Sequence, residues 1–231
     1  MNSANKKNAG FTLLELMVAM ALSSLVMIGI FSVYRDGVKN NITQNAMAEM
    51  QQDIRAGMHM MAREIRVAGY DPSRDADAGI TTARSDEIVF TADLNEDGEC
   101  TGPGPPSDAN EQIRYALTSN NLGRQVWNGG LQPVALNIDA INFVYLDSDR
   151  NDLINNLLVP PAVPAGDLDD IRSIQISIVA RSGKNVPALF NSSRDLRNYR
   201  NQQGDIILPA QADYFKRVLL TAEIKVRNLG L

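Results

Sequence analysis

The sequence contains a single cysteine, a single histidine and no phosphate-binding glycine loop, and these shortages exclude several classes of protein. One cysteine, Cys100, excludes an intrachain disulfide, so it is a free thiol or an intermolecular link, and we expect an inert thiol. Hydrolases that depend on histidine and nucleotide-dependent enzymes lack their residues here. Composition leaves a carboxylate-only glycosidase open, but no motif indicates one. The sequence therefore predicts a protein that is not an enzyme.

Clusters of basic residues interleaved with aromatic residues are also missing. The net charge is −5, and the lysines and arginines are scattered along the chain. Nucleic-acid-binding proteins concentrate positive charge on one face or along one helix. The sequence therefore predicts no nucleic-acid partner.

One long apolar run is present, from Phe11 to Tyr34, and Glu15 is its one ionisable carboxylate. As a helix the run would be roughly 36 Å long, which is enough to cross a bilayer core of about 30 Å. No small-residue cleavage site follows it closely, so we expect a retained membrane helix rather than a signal peptide. A carboxylate in a lipid-facing helix is costly, and Glu15 therefore needs a partner.

A short basic leader precedes the run: Lys6 and Lys7 are followed by Gly10. The sequence Gly-Phe-Thr-Leu-Leu-Glu from Gly10 to Glu15 resembles the cleavage and methylation motif of type IV prepilins and type II secretion pseudopilins. The leader, the glycine, the phenylalanine, the apolar run and the glutamate five residues beyond the glycine all match together. A plain signal anchor is the alternative.

The resemblance implies a role for each matched residue. Prepilin peptidase would cut after Gly10, leaving residues 1–10 as a cleaved leader and Phe11 as an N-methylated amino terminus. Glu15 would pair with the Phe11 amine of a neighbouring subunit during assembly. The alternative for Glu15 is a carboxylate that extends to the cytoplasmic interface of the membrane.

The helical pattern continues beyond the apolar run but becomes amphipathic over residues 37–68. Its apolar residues recur every three or four positions and predict one buried stripe: Met47, Met50, Ile54, Met58, Met61 and Ile65. Gly69 and Pro72 predict the end of the helix. We expect a membrane and filament-core helix over residues 11–36 and one globular domain over residues 37–231 that includes the amphipathic helix.

The rest of the chain alternates between apolar and polar residues and contains many turn residues. Seven strands are predicted, over residues 87–92, 112–117, 124–127, 134–138, 141–146, 171–180 and 218–226. A hairpin turn is expected at Asn120–Gly123, another at 147–152, and a long polar excursion over 182–213. The predicted fold class is α+β, with the long N-terminal helix packed on an antiparallel sheet.

Two further stretches narrow the resemblance to the PilW-like minor pilins, which are related to the J-type pseudopilins of type II secretion. They are Met61–Pro72 at the end of the helix and Arg217–Thr221 together with Arg227–Leu229 near the C-terminus. The resemblance implies a subunit of a priming or tip complex, anchored in the inner membrane with its domain in the periplasm and later part of a surface filament. Implied partners are prepilin peptidase, minor and major pilins, the assembly platform and a tip adhesin. A secretion pseudopilin and a membrane-anchored binding module that never polymerises are the alternatives.

One acidic loop has the residue pattern of a calcium site. Asp93, Asn95, Asp97 and Glu99 occupy the first, third, fifth and seventh positions of such a loop, and Gly98 occupies the sixth. The twelfth position is Gly104, where a bidentate glutamate is needed, so a bound ion would use Asp108, Glu111 or a more distant residue. We expect weak calcium binding here, and an acidic turn without metal is the alternative. Asp147, Asp149 and Asn151 form a poorer second candidate, and no other cofactor is indicated.

Overall fold

The computed structural model describes residues 10–100, 110–183 and 194–229. Its first element is the helix α1, which begins at Leu13 and ends at Ile65. Within the described residues this is the one helix long and apolar enough to cross a membrane. The chain divides into two compact units. The first ends at Asn45, and the second begins at Ala46.

The first unit contains the apolar part of α1. From Gly10 to Val38 every described side chain is exposed, although most are leucine, isoleucine, valine, methionine or phenylalanine. Soluble proteins rarely expose an apolar surface of this extent, so this segment requires lipid or other protein around it. The observation agrees with a helix that can cross a membrane, and its place in a filament core stays a prediction.

The second unit is built on the last turns of α1. Five predicted stripe residues are buried: Met50, Ile54, Met58, Met61 and Ile65. Met47 was predicted to be buried with them, and this was wrong, because it is 36% exposed and precedes the part of the helix that the sheets cover. Gly57 allows close packing, since a Cβ atom there would lie 3.0 Å from the Cβ of Ala135.

The helix ends three residues earlier than the sequence predicted. Residues 66–69 form a turn, and Gly69 has a φ of +76°, a left-handed conformation that favours glycine. The amide side chain of Asn228 donates to the carbonyl oxygens of residues 66–68 at 3.4–3.5 Å. The C-terminal segment therefore caps α1, and the two stretches that narrowed the resemblance meet at this point.

In the described part of the chain, ten strands form three antiparallel sheets. The bounds of the strands are β1 Ile80–Ala83, β2 Glu87–Thr91, β3 Gln112–Thr118, β4 Asn121–Val126, β5 Gln132–Ala135, β6 Ile138–Leu146, β7 Ser173–Arg181, β8 Tyr199–Arg200, β9 Ile206–Leu208 and β10 Arg217–Lys225. The first sheet has the order β1-β2-β3-β4-β5, the second β10-β7-β6, and β8 pairs with β9. Buried side chains of the first two sheets and of α1 form one core.

The predicted α+β fold and all seven predicted strands are confirmed, with shifts of up to three residues at their ends. The strands β1, β8 and β9 were not predicted, because they are short and lack a clear alternation. The predicted hairpin turn was misplaced: Ser119 and Asn120 form it, with φ of +48° and +60°, and Asn121 already begins β4. The turn that begins at Asp147 is confirmed by the bond from its amide to the carbonyl of Asn151.

Candidate functional site

The predicted processing site lies directly before the first turn of α1. Gly10 and Phe11 are exposed, and a Cβ atom at Gly10 would meet no atom within 4 Å. Packing within this chain therefore does not require a glycine at position 10. A requirement for glycine at this position has to come from an interaction with another molecule, such as the active site of a peptidase. Lys6, Lys7 and the rest of the leader up to residue 9 lie outside the described residues.

Glu15 lies in the first turn of α1 and contacts Thr12. The amide and the hydroxyl of Thr12 donate to Oε2 of Glu15 at 2.9 and 3.0 Å, and the amide of Glu15 faces the Thr12 hydroxyl at 3.3 Å. The carbonyl of Thr12 accepts the bond from Leu16 that opens the helix. This is a capping box, in which an N-cap threonine and a glutamate three residues later satisfy backbone donors reciprocally.

The role of Thr12 was not predicted, although the spacing Thr-x-x-Glu of a capping box is present in the sequence. The capping box gives Glu15 one partner within its own chain. Oε2 of Glu15 accepts both hydrogen bonds from Thr12, and within the described residues Oε1 accepts none. The capped carboxylate thus keeps one oxygen for a second donor, such as the amine predicted from a neighbouring subunit.

A largely buried charge network joins the end of α1 to the first sheet. Nε of Arg124 lies 2.9 Å from one carboxylate oxygen of Glu64 and 3.2 Å from the other. The hydroxyl of Tyr115 donates to Glu64 at 2.5 Å, and burial raises the pKa of this tyrosine well above its ordinary value. Tyr115 and Arg124 are paired across the hairpin of β3 and β4, but Glu64 lies 51 and 60 positions before them, so no local pattern indicates that it meets them.

A second network anchors the end of the polar excursion on the three-stranded sheet. Arg217 is almost fully buried, and its guanidinium binds Asp139 and Asp213 at 2.6 Å. Asp195 accepts bonds from Tyr199 at 2.6 Å and from Arg197 at 2.9 Å. The excursion is therefore tied to the sheet by ionic hydrogen bonds, although residues 184–193 lie outside the described residues.

The acidic loop forms a tight turn stabilised by its own side chains. Asp93 is fully buried, and its carboxylate accepts bonds from the amides of Glu96 at 2.7 Å and Gly98 at 3.2 Å. Asn95 and Asp97 lie on the exposed side of the turn, 2.8 Å from one another, and the side chain of Glu99 is exposed as well. Within the described residues no group of three or more histidine, cysteine, aspartate or glutamate side chains is arranged to hold a metal ion. Gly104 and Asp108 lie outside them, and calcium binding stays a prediction.

In the second candidate, the Asp147 carboxylate accepts bonds from the amides of Asp149 and Asn151 and closes its turn in the same way. Cys100, for which an inert thiol was expected, is a free thiol in this chain and is buried. Burial raises the pKa of this thiol to about 12, and the carboxylates of Glu111 and Asp93 act in the same direction. A thiol with this pKa stays protonated and unreactive at neutral pH.

Two family models match the sequence of this chain. The model of the family "prepilin peptidase-dependent protein B" matches residues 43–197, about two thirds of the chain. The model of the prokaryotic N-terminal methylation motif matches residues 5–31, which contain Gly10, Phe11 and Glu15.

The fold is similar to that of a type IV-like pilin from Thermus thermophilus. The TM-score is 0.51 at 15% sequence identity, and the match covers 78% of this chain and 98% of the other. At 15% identity the structural match supports the fold alone. The two family models support the relationship to proteins that prepilin peptidase processes. The chain belongs to the prepilin peptidase-dependent protein B family and is a type IV pilin-like protein.

Proposed function

We propose that this protein is a minor pilin, a non-enzymatic subunit of the complex that starts or tips a type IV pilus. The observation that carries the proposal is the exposed segment Gly10–Glu15 at the head of an exposed apolar helix. A simple membrane anchor needs neither a glycine in open space nor a carboxylate in its first turn. A subunit that is cleaved and then packed among other helices needs both.

The proposal includes a route for the chain. It is inserted in the inner membrane with its domain in the periplasm, cleaved after Gly10 by prepilin peptidase, N-methylated at Phe11 and transferred by the assembly platform into a filament. Its partners there are other minor pilins, the major pilin and a tip adhesin. The PilW-like minor pilins are the group we assign it to, because the sequences of Met61–Pro72, Arg217–Thr221 and Arg227–Leu229 resemble theirs.

The first experiment tests processing. Gly10→Val is compared with Gly37→Val, because a Cβ atom at either glycine meets nothing within 4 Å and neither change has a packing cost within the chain. We expect Gly10→Val to accumulate as uncleaved precursor in the inner membrane, while Gly37→Val is processed normally. Mass analysis of the wild-type protein should give a methylated amino terminus at Phe11. Normal processing of Gly10→Val, or a mature terminus at Met1 or beyond Tyr34, contradicts the proposal.

The second experiment separates a pilus from a secretion system. The gene is deleted, and the strain is scored for surface filaments and for exoproteins in the medium. We expect loss of filaments with secretion unchanged, restored by the wild-type chain and not by Gly10→Val. Loss of secretion alone would identify a J-type pseudopilin. If neither changes, the protein is an anchored binding module and the proposal is wrong.

A further inference from the structure

The strand β10 forms one edge of the three-stranded sheet and pairs with β7 alone. It is nine residues long, from Arg217 to Lys225. Edge strands expose backbone donors and acceptors that another strand can bind, and most proteins protect long edges for this reason. The hydrogen bonds of β10 therefore show which of its backbone groups remain open.

The bonds at the two ends of the β10–β7 pair show which residues face β7. The amide of Ser182 donates to Lys216, and the amide of Val226 donates to Arg172. Bonded pairs alternate in an antiparallel ladder, and the register is regular between these ends. Even-numbered residues of β10 therefore bond to β7, and odd-numbered residues direct their backbone groups away from it.

The outward backbone groups of β10 are open over most of its length. Arg197 reaches the carbonyl of Arg217 at 3.5 Å. Beyond that position, within the described residues, no hydrogen bond reaches the outward amides and carbonyls of four residues: Leu219, Thr221, Glu223 and Lys225. These positions offer eight backbone groups to a further strand.

The other sheet edges are protected. The strand β1 has four residues and an irregular register, and β5 has four residues including Pro133, which lacks an amide donor. The far edge of β6 is occupied, because Phe143 donates to Ser85 and Leu153 donates to the carbonyl of Tyr145. Within the described residues, β10 is the one long edge that no proline, bulge or connection covers.

The side chains of β10 favour a strand rather than an irregular segment. Val218, Leu220 and Ala222 point to the core but are only partly buried. An added strand with apolar residues on that side would cover them. On the opposite face Thr221 and Lys225 are exposed, and within the described residues Lys225 forms no ion pair. An acidic residue opposite Lys225 would complement its charge.

A second copy of this chain fits the edge poorly. The two-fold register that uses all four open residues of both copies pairs Thr221 with Glu223. The same register places Leu219 opposite Lys225, so no acidic residue of the second copy faces this exposed lysine. Opposite charges on neighbouring strands stabilise a pair, and this register does not supply one at Lys225. The occupant therefore belongs to a different polypeptide.

We propose that β10 binds an extended segment of another protein as a fourth strand of its sheet, with apolar residues beside Val218 and Leu220 and an acidic residue opposite Lys225. Backbone hydrogen bonds would supply affinity, and the alternating side chains would supply specificity. This inference goes beyond the proposed function and does not rest on it, because the open edge is a property of the folded domain.

The test uses the full-length chain in detergent micelles and a designed nine-residue peptide of alternating valine and threonine, with glutamate opposite Lys225. Hydrogen exchange is measured for individual amides. We expect saturating peptide to slow exchange at Leu219, Thr221 and Glu223 at least tenfold, while Leu220 and Ala222 are protected with or without it. The same peptide, N-methylated at the amides that face β10, should have no effect. Unchanged exchange at the odd-numbered amides, or an equal effect of the N-methylated peptide, overturns the proposal.

Two variants make the test specific. Thr221→Pro removes one outward donor and keeps the even-numbered bonds to β7, so protection at Leu220 shows that the sheet is intact while the peptide effect is lost. Lys225 lies on the exposed face, and Lys225→Glu should reverse the preference for an acidic residue opposite this position. A peptide with lysine opposite position 225 should then bind at least threefold more tightly than the glutamate peptide. Full peptide binding by folded Thr221→Pro overturns strand addition, and an unreversed preference of Lys225→Glu overturns the acidic partner.

Discussion

Thr12 and Glu15 satisfy each other's hydrogen-bonding groups at the start of α1, with the threonine amide and hydroxyl donating to one carboxylate oxygen at 2.9 and 3.0 Å. The glutamate that the family resemblance assigns to subunit assembly is therefore also part of a helix cap. Loss of a cap weakens a helix end by about 1 kcal/mol. Loss of a charge partner in a filament core leaves a buried charge unpaired, which costs more. Suitable substitutions separate the two roles.

The first prediction concerns Glu15. Glu15→Gln keeps an oxygen that can accept from Thr12 but removes the charge, whereas Thr12→Val removes the hydroxyl and keeps the carboxylate. We expect Glu15→Gln and Glu15→Ala to insert in the membrane normally but to enter filaments poorly, because the Phe11 amine of the neighbouring subunit loses its partner. Thr12→Val should still be incorporated. The measurement is the amount of each variant in sheared filaments from a strain without the native copy. Wild-type incorporation of Glu15→Gln would show that the cap is the whole role of this residue.

The second prediction concerns the network of Glu64, Arg124 and Tyr115. The side chains of Glu64 and Arg124 are 13% and 18% exposed, so removing one leaves the other charge largely buried. We expect Arg124→Met to lower the free energy of unfolding by about 3 kcal/mol. Tyr115→Phe removes one hydrogen bond to Glu64 and should cost about 1.5 kcal/mol.

Chemical unfolding of the chain in micelles measures both changes. The double variant Glu64→Met with Arg124→Met is the control, because it leaves no unpaired charge and should be more stable than Arg124→Met alone. A double variant that is less stable than either single variant would contradict this explanation.

The third prediction concerns pH. Burial opposes ionisation of Asp195, but hydrogen bonds from Arg197 and Tyr199 outweigh it and lower the pKa of this carboxyl to about 2. A hydrogen bond from Arg217 likewise lowers the pKa of Asp213. Unfolded aspartates titrate near 3.9. Because the folded pKa values are lower, the stabilisation is complete above about pH 4 and is lost as the pH falls toward 2.

Unfolding measured between pH 6 and pH 2.5 should therefore show a steep loss of stability below pH 4. Asp195→Asn is expected to be less stable at pH 6 and to have a shallower slope below pH 4. The exposed Asp77→Asn should follow the wild-type curve. A slope unchanged in Asp195→Asn would contradict the assignment.

The features that the sequence predicted well are those with a local cause. The methylation motif that contains Gly10–Glu15 is contiguous, the stripe from Met50 to Ile65 repeats with the period of a helix, and Gly69 completes the turn after α1 in a left-handed conformation. Each of these can be identified from a few neighbouring residues. The confirmed strands share this property, because alternation over four to nine residues is a local signal.

The features that the sequence did not predict depend on distant residues. Asn228 caps a helix that ends more than 160 positions earlier, and no spacing rule relates the two. Met47 continues the helical period but is exposed, because burial depends on where the sheets begin to cover the helix. Glu64 gives the same local signal as an exposed glutamate, and only its contacts with Tyr115 and Arg124 distinguish it.

The last prediction concerns calcium and the choice of residue that can test it. Asp93 accepts two amides of its own turn, so Asp93→Ala would disrupt the loop whether or not calcium binds. Asp97 lies on the exposed side, and Asp97→Ala removes an oxygen ligand with a smaller effect on the turn.

Calcium that binds only the folded state raises its stability by about 1.4 kcal/mol at ten times Kd. We therefore expect millimolar calcium to raise Tm by roughly 3–6 °C, Asp97→Ala to abolish the rise and Asp149→Ala to retain it. Magnesium at equal ionic strength should have a smaller effect, because it accepts an irregular set of oxygen ligands less readily than calcium does. An equal shift with both ions, or none with calcium, would identify the loop as an acidic turn stabilised by its own hydrogen bonds without metal.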